Sequence, residues 1–243
     1  MPSLRLYGWK AMGKLHGRVS DLTQGETVMR ISWVFCLLPM MATQLAAQDA
    51  PPGCTPLVTI QSQGCFDRQV FTCESDAGRM RWVATHGQNG PITLAVLDEN
   101  GMPQALTTGA GKPWGTLSIE GDAVDLKKVL SGISDDFNYQ LDFDDGTTLF
   151  TSGSLRLTGN VTEIDGRSLQ DLQRFETVIY PNGVIGVETD NRVLYDADLG
   201  LTLNTTTTER ATGKSVLDRT PVDFAFPGEE GANSFAPLYG CEG

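Results

Sequence analysis

Phe175-Glu-Thr-Val-Ile-Tyr180-Pro181-Asn-Gly183-Val184-Ile-Gly-Val-Glu188 is the stretch on which the fold turns. Two short runs rich in apolar and β-branched residues flank Pro181-Asn-Gly183. Pro presets φ for a turn, and Asn-Gly tolerates positive φ. The stretch therefore reads as a β-hairpin.

The same pattern continues outward. Upstream, Phe137, Tyr139, Leu141 and Phe143 alternate with polar residues, which sets them on one face of a half-buried strand. Asp144-Asp-Gly146 turns into Thr147–Phe150, Ser154–Thr158 follows, and Asp165-Gly166 turns again. Downstream, Arg192–Tyr195, Leu199–Arg210, Ser215–Leu217 and Val222–Phe226 complete a meander. In the first half, Val58–Ile60, Gln69–Cys73, Met80–Thr85, Ile92–Leu97 and Gly115–Ile119 are strand-like, with Gly87-Gln-Asn-Gly90 and Asn100-Gly101 as turns. Residues 101–113 read as a Gly/Thr/Pro-rich loop. One short helix is expected, with Asp122 as N-cap, Asp125 in the capping-box place, Leu126, Val129, Leu130 and Ile133 on one face, and Gly132 as stop.

The expected fold class is mainly β: an antiparallel meander forming a barrel or a strongly curved sheet, with at most one or two short helices. Over about residues 137–226, including the corner Tyr195-Asp-Ala-Asp-Leu-Gly200, the pattern resembles the exported half-barrel proteins of the bacterial cell envelope, such as the lipoprotein carriers. That resemblance implies a curved sheet around an apolar cavity. It carries no motif, and so no activity and no site residue.

Ahead of this domain, residues 29–47 read as a signal peptide. Arg30 is its positive region, Ile31–Ala42 its apolar region, and Leu45-Ala-Ala47 its cleavage site. A spanning helix needs about 20 apolar residues, and Pro39, Thr43 and Gln44 interrupt this run. Residues 1–28 are an upstream extension, or translation starts at Met29. Residues 48–243 form one β-rich domain, periplasmic or extracellular, beginning at Gln48 and with no stable membrane span after cleavage.

Removal of residues 1–47 leaves 13 basic against 28 acidic residues, a net charge of −15. Such a surface repels phosphate backbones and anionic lipid, so nucleic acid is excluded as a partner. Cys36 leaves with the signal. Cys54, Cys65, Cys73 and Cys241 remain, an even set that predicts two disulfides in an oxidising compartment. Three connectivities are open. Cys241 must bond back to one of the other three, which ties the chain ends together. Zinc favours a paired CxxC spacing, which is absent.

Each motif that suggests catalysis or ligation has a plainer reading. Ala211-Thr-Gly-Lys-Ser215 lacks the P-loop's first glycine, since Thr208 stands there, and reads as a hairpin turn. Gly109-Ala-Gly-Lys112 runs straight into Pro113. Asp142, Asp144, Asp145 and Gly146 resemble part of a calcium loop, but the glycine falls at the fifth place, not the sixth. His86 is the only histidine after residue 47 and no GxSxG elbow accompanies it. It reads as a solvated turn residue whose replacement leaves folding nearly untouched. No catalytic, cofactor-binding or metal residue is assigned, and no cofactor is expected. Glu120, Glu176 and Glu188 are the acids open to a carboxylate-based hydrolase. The leading expectation is a non-enzymatic envelope protein that binds an apolar ligand or an envelope protein. The alternatives are that hydrolase and a structural surface component.

Overall fold

The structure is a computed structural model that describes residues 50–75, 78–109, 113–118 and 122–241. The expected signal peptide, the segment before it, Lys112 and Glu120 lie outside the described residues.

Among the described residues thirteen strands form one antiparallel sheet. They are β1 (Cys54–Ser62), β2 (Phe66–Ser75), β3 (Gly78–Gly87), β4 (Gly90–Leu97), β5 (Pro103–Thr108), β6 (Pro113–Ser118), β7 (Asp135–Phe143), β8 (Thr148–Ile164), β9 (Arg167–Ile179), β10 (Ile185–Asp196), β11 (Leu201–Glu209), β12 (Lys214–Asp218) and β13 (Pro221–Ala225). From β1 to β12 each strand pairs with the next in sequence. Only β13 breaks the order, by pairing with β1. The quoted hairpin forms as read. The Tyr180 N–H donates to the Val184 carbonyl at 3.0 Å, and Gly183 takes φ +77°.

The sheet is a meander but not a closed barrel, because no ladder joins its edges β12 and β13. Only Arg219 and Thr220 separate the two. At this seam the Arg219 N–H donates to Thr205 of β11, and Thr220 accepts from the Gln63 N–H just after β1. A buried cluster also joins the two ends of the strand order. Val58, Ile60 and Val70 pack with Phe224, and with Leu169, Leu194, Leu201 and Leu203 from β9–β11. A second cluster unites Phe137, Tyr139, Leu155, Leu172 and Val193 with Met102 and the helix.

Three expectations need correction. The 101–113 loop contains β5, whose Ala105 and Leu106 pair with Val96 and Ala95 of β4. Its Pro103 is the first strand residue, where a missing N–H costs least. The helix α1 (Leu126–Leu130) is capped by Asp125, not Asp122: the Asp125 carboxylate accepts from the Lys128 N–H at 3.1 Å. Leu126 and Val129 are buried, whereas Ile133 lies beyond the Gly132 stop and is exposed. Finally, Thr148–Phe150 and Ser154–Thr158 belong to one 17-residue strand, with Thr147 just before it. Gly153 allows this continuity, since a Cβ there would overlap the Phe175 carbonyl and the Phe137 ring.

Both disulfides form, as Cys54–Cys73 and Cys65–Cys241. The first joins register partners of β1 and β2. The second anchors the segment 226–241 across the face of β1–β3 opposite Ile60 and Val70. Side-chain amides of Gln61 and Gln69 donate to the Ala236 and Ser234 carbonyls at 3.3 and 3.1 Å, and the Asn233 N–H donates to Thr59 Oγ1 at 2.9 Å.

Candidate functional site

Alternation along β9 sends Leu172, Arg174 and Glu176 to one face. The register sets Arg174 opposite Leu155, and Glu176 opposite Gly153, which in turn faces Phe137 of β7. With no side chain at Gly153, Phe137 and Tyr139 reach Arg174. The Arg174 guanidinium lies 4.9 Å over the Phe137 ring. It donates to the Tyr139 hydroxyl at 2.9 Å and to Glu176 Oε1 at 3.1 Å, and the Tyr139 hydroxyl donates to the same Oε1 at 3.0 Å. Burial first, and then the Glu176 carboxylate, push the Tyr139 phenol up to about 12 against the pull of Arg174, so it stays a neutral donor. Burial opposes the charge on Arg174, but Glu176 and Tyr139 outweigh it and hold the guanidinium above its ordinary value.

These three side chains line a recess of 340 Å³. Its other polar lining includes Asn204 and Arg219. Its apolar lining includes Leu97, Met102, Leu106, Val124, Leu155 and Val193. Arg219 projects from the seam with its guanidinium 4.3 Å over the Phe66 ring, and its buried Nε has no partner among the described residues. Arg68 of β2, 7% exposed, donates to the Asn204 backbone carbonyl at 2.9 Å. Burial, and then the charge of Arg219, bring the Arg68 guanidinium down to about 10. Burial lowers Arg219 as well.

The recess explains which sequence candidates belong together. Glu176 lines it. Glu188 does not: it pairs with Thr177, the neighbour of Glu176, so it points to the opposite face and is exposed. The Asp142–Gly146 cluster is a hairpin turn, in which Asp145 accepts from the Thr147 N–H at 2.8 Å and Asp142 from Gln140 and Thr148. Among the described residues no group of three acids, histidines or cysteines is arranged to hold a metal ion. Ala211–Gly213 lie in the β11–β12 turn, with Gly213 at φ +67°, and Lys214 and Ser215 begin β12.

His86 is not a solvated turn residue. It stands in β3 opposite Asp67 of β2, and its Nδ1 lies 2.9 Å from Asp67 Oδ1. It is 3% exposed because Phe235 of the C-terminal segment covers it edge-on, with ring centroids 4.7 Å apart.

Sequence reasoning missed Tyr139, Arg174, Arg68 and Arg219 as a group. Two of them carried a signal. Arg68 alternates with Phe66 and Val70, and Arg174 follows Leu172 at the same spacing. A cation at an inward place of an alternating strand points to an interior charge.

A second recess, of 270 Å³, lies around Asp171, Asp190 and Arg192. Its arginine is already matched, since Arg192 Nη2 donates to Asp171 at 2.7 Å.

No family model, curated protein or solved structure matches the chain.

Proposed function

We propose that this is an extracytoplasmic, non-enzymatic binding protein that holds a small ligand in the recess of its rolled sheet, an incomplete barrel. The observation that carries the reading is the recess itself: 340 Å³, apolar along Leu97, Met102, Leu106 and Val193, polar at Tyr139, Arg174, Asn204 and Arg219. Ligand sites usually combine a mainly apolar wall with a few convergent polar groups, and run from about 300 to 1,000 Å³. This one is at the small end, and its wall is more polar than apolar. Two disulfides in one domain fit an oxidising compartment. No described helix is long and apolar enough to cross a membrane.

The chemistry at Glu176 favours binding over hydrolysis. Hydrolysis of glycosides needs two carboxyl groups about 5–9.5 Å apart. Glu176 is held by Arg174 and Tyr139, and Glu188 faces the other way.

The reading is tested by native mass spectrometry of the mature chain purified from its own envelope or medium. The wild type is expected to carry a non-covalent mass that leaves on unfolding. Leu106→Trp, which fills the recess, is expected to lose that mass while still melting cooperatively. A wild type without added mass, or a folded Leu106→Trp protein that keeps it, would overturn the reading.

A further inference from the structure

The charges around the recess do not balance. Arg174 is matched by Glu176. Arg68 and Arg219 form no ion pair among the described residues, although the chain after residue 47 has 28 acids to offer. Their nearest fixed partners are neutral: the Asn204 carbonyl for Arg68 and the Phe66 ring for Arg219. Two neighbouring guanidiniums taken out of water without a counter-charge are costly. The cost is tolerable where the fold reserves them for an anion, because desolvated guanidiniums bind oxyanions strongly and with a fixed fork geometry. Arg219 still has a buried Nε–H with no acceptor among the described residues. Its stacking on Phe66 holds that fork in place.

We propose that Arg219, with the buried charge of Arg68 behind it, forms an oxyanion site, so that the ligand is a small amphipathic anion with a carboxylate or phosphate headgroup. The headgroup lies at the Arg219 guanidinium, which lines the recess, and the apolar body runs along Leu97, Met102, Leu106 and Val193. This deepens, and rests on, the reading of the recess as a ligand site.

The test is calorimetric titration of the mature chain with four probes: octanoate, octyl phosphate, octan-1-ol and octylamine. At least one of the two anions is expected to bind, with octan-1-ol and octylamine weaker by about ten-fold or more, the worth of one charge-assisted hydrogen bond. Which anion binds tighter tells a carboxylate ligand from a phosphate one. Arg219→Gln is expected to weaken the anion by about ten-fold or more and to leave octan-1-ol unchanged. Lys214→Gln, at an exposed cation of β12, is expected to change neither. Arg68→Gln repeats the Arg219 effect if it folds; the half-buried Arg219 carries the test if it does not. Equal binding of octanoate and octan-1-ol, unaffected by Arg219→Gln, would overturn the oxyanion site and leave the ligand recess standing. Absence of binding by all four probes would overturn both.

Discussion

His86 is buried by the segment around Phe235, far along the chain, and its neighbours in sequence give no sign of that. Thr85 and Gly87-Gln-Asn-Gly90 describe a turn correctly. What they leave out is Phe235, laid over the ring, and Asp67 on the adjoining strand. His86→Ala is therefore expected to destabilise the domain rather than leave it untouched. The loss of the Asp67 hydrogen bond, with that carboxylate left buried and unpaired, costs about 1–3 kcal/mol, readable as a lower urea midpoint at unchanged m-value. A midpoint equal to the parent's would show the pair to be idle. Asp196 makes a pH prediction at the same scale. Its burial opposes the charge, but the Arg167 fork and the Asp198 and Leu199 N–H groups outweigh that and hold the carboxyl below its ordinary range. A carboxyl depressed in the folded state stabilises fully above its unfolded value, about 3.9, and loses that contribution as pH falls through the folded value. Asp135, whose burial is outweighed by Lys128 and the Asp125 N–H, acts in the same direction, whereas Asp223, raised by burial and then by Asp165, acts in the opposite one. Stability is expected to drop below about pH 4, and Asp196→Asn is expected to be less stable at neutral pH with a flatter loss in that acid window. An unchanged acid limb in Asp196→Asn would show that Asp196 does not contribute to it.

At the scale of elements, the second half of the chain was legible because period-two alternation coincides with turn residues. Phe137 and Tyr139 of β7, the Pro181-Asn-Gly183 turn and the β10–β11 corner all follow from local chemistry. Phe137, Tyr139 and Phe224 are buried as the alternation implies, but Phe143, at the end of β7, is only half-buried. The strand β5 was hidden, since Pro103 and the threonines around it resemble a loop until β4 and β6 supply partners. Disulfide connectivity was hidden for a different reason: pairing depends on which strands adjoin, and cysteine spacing does not encode that. With Cys54–Cys73 and Cys65–Cys241 in place, the two bonds close loops of 19 and 176 residues. Loop-closure entropy alone gives about 3 and about 5 kcal/mol for them. The Cys65→Ser/Cys241→Ser double variant is expected to lose more stability than Cys54→Ser/Cys73→Ser, by urea titration, and to expose His86 to solvent exchange as the C-terminal segment loosens. The unreduced protein should take up no thiol label when denatured. One labelled cysteine per chain, or peptide mapping that joins Cys54 to Cys65, would contradict the pairing.

For the whole molecule, the mainly β meander was legible and the composition of its interior was not. The chain is acidic, and acidity in a sequence reads as a solvated surface. The fold instead turns Arg174 and Arg219 toward one recess, buries Arg68 against the Asn204 carbonyl beside it, and leaves most carboxylates outside it. Which side of a strand faces inward is visible locally. Which inward residues meet is decided by the roll that brings β1, β2 and β13 onto β9–β11, and that is a property of the complete sheet. The sequence led to an apolar ligand or an envelope protein as the partner; the proposed ligand has both an apolar body and a polar end. The most direct measurement of this account is a crystal structure of the protein purified from its own compartment, without refolding. Non-protein density is expected between Arg219 and the Leu97–Met102–Val193 wall, with an anionic end at the Arg219 guanidinium. A recess collapsed by its own side chains, or holding only ordered water, would contradict it.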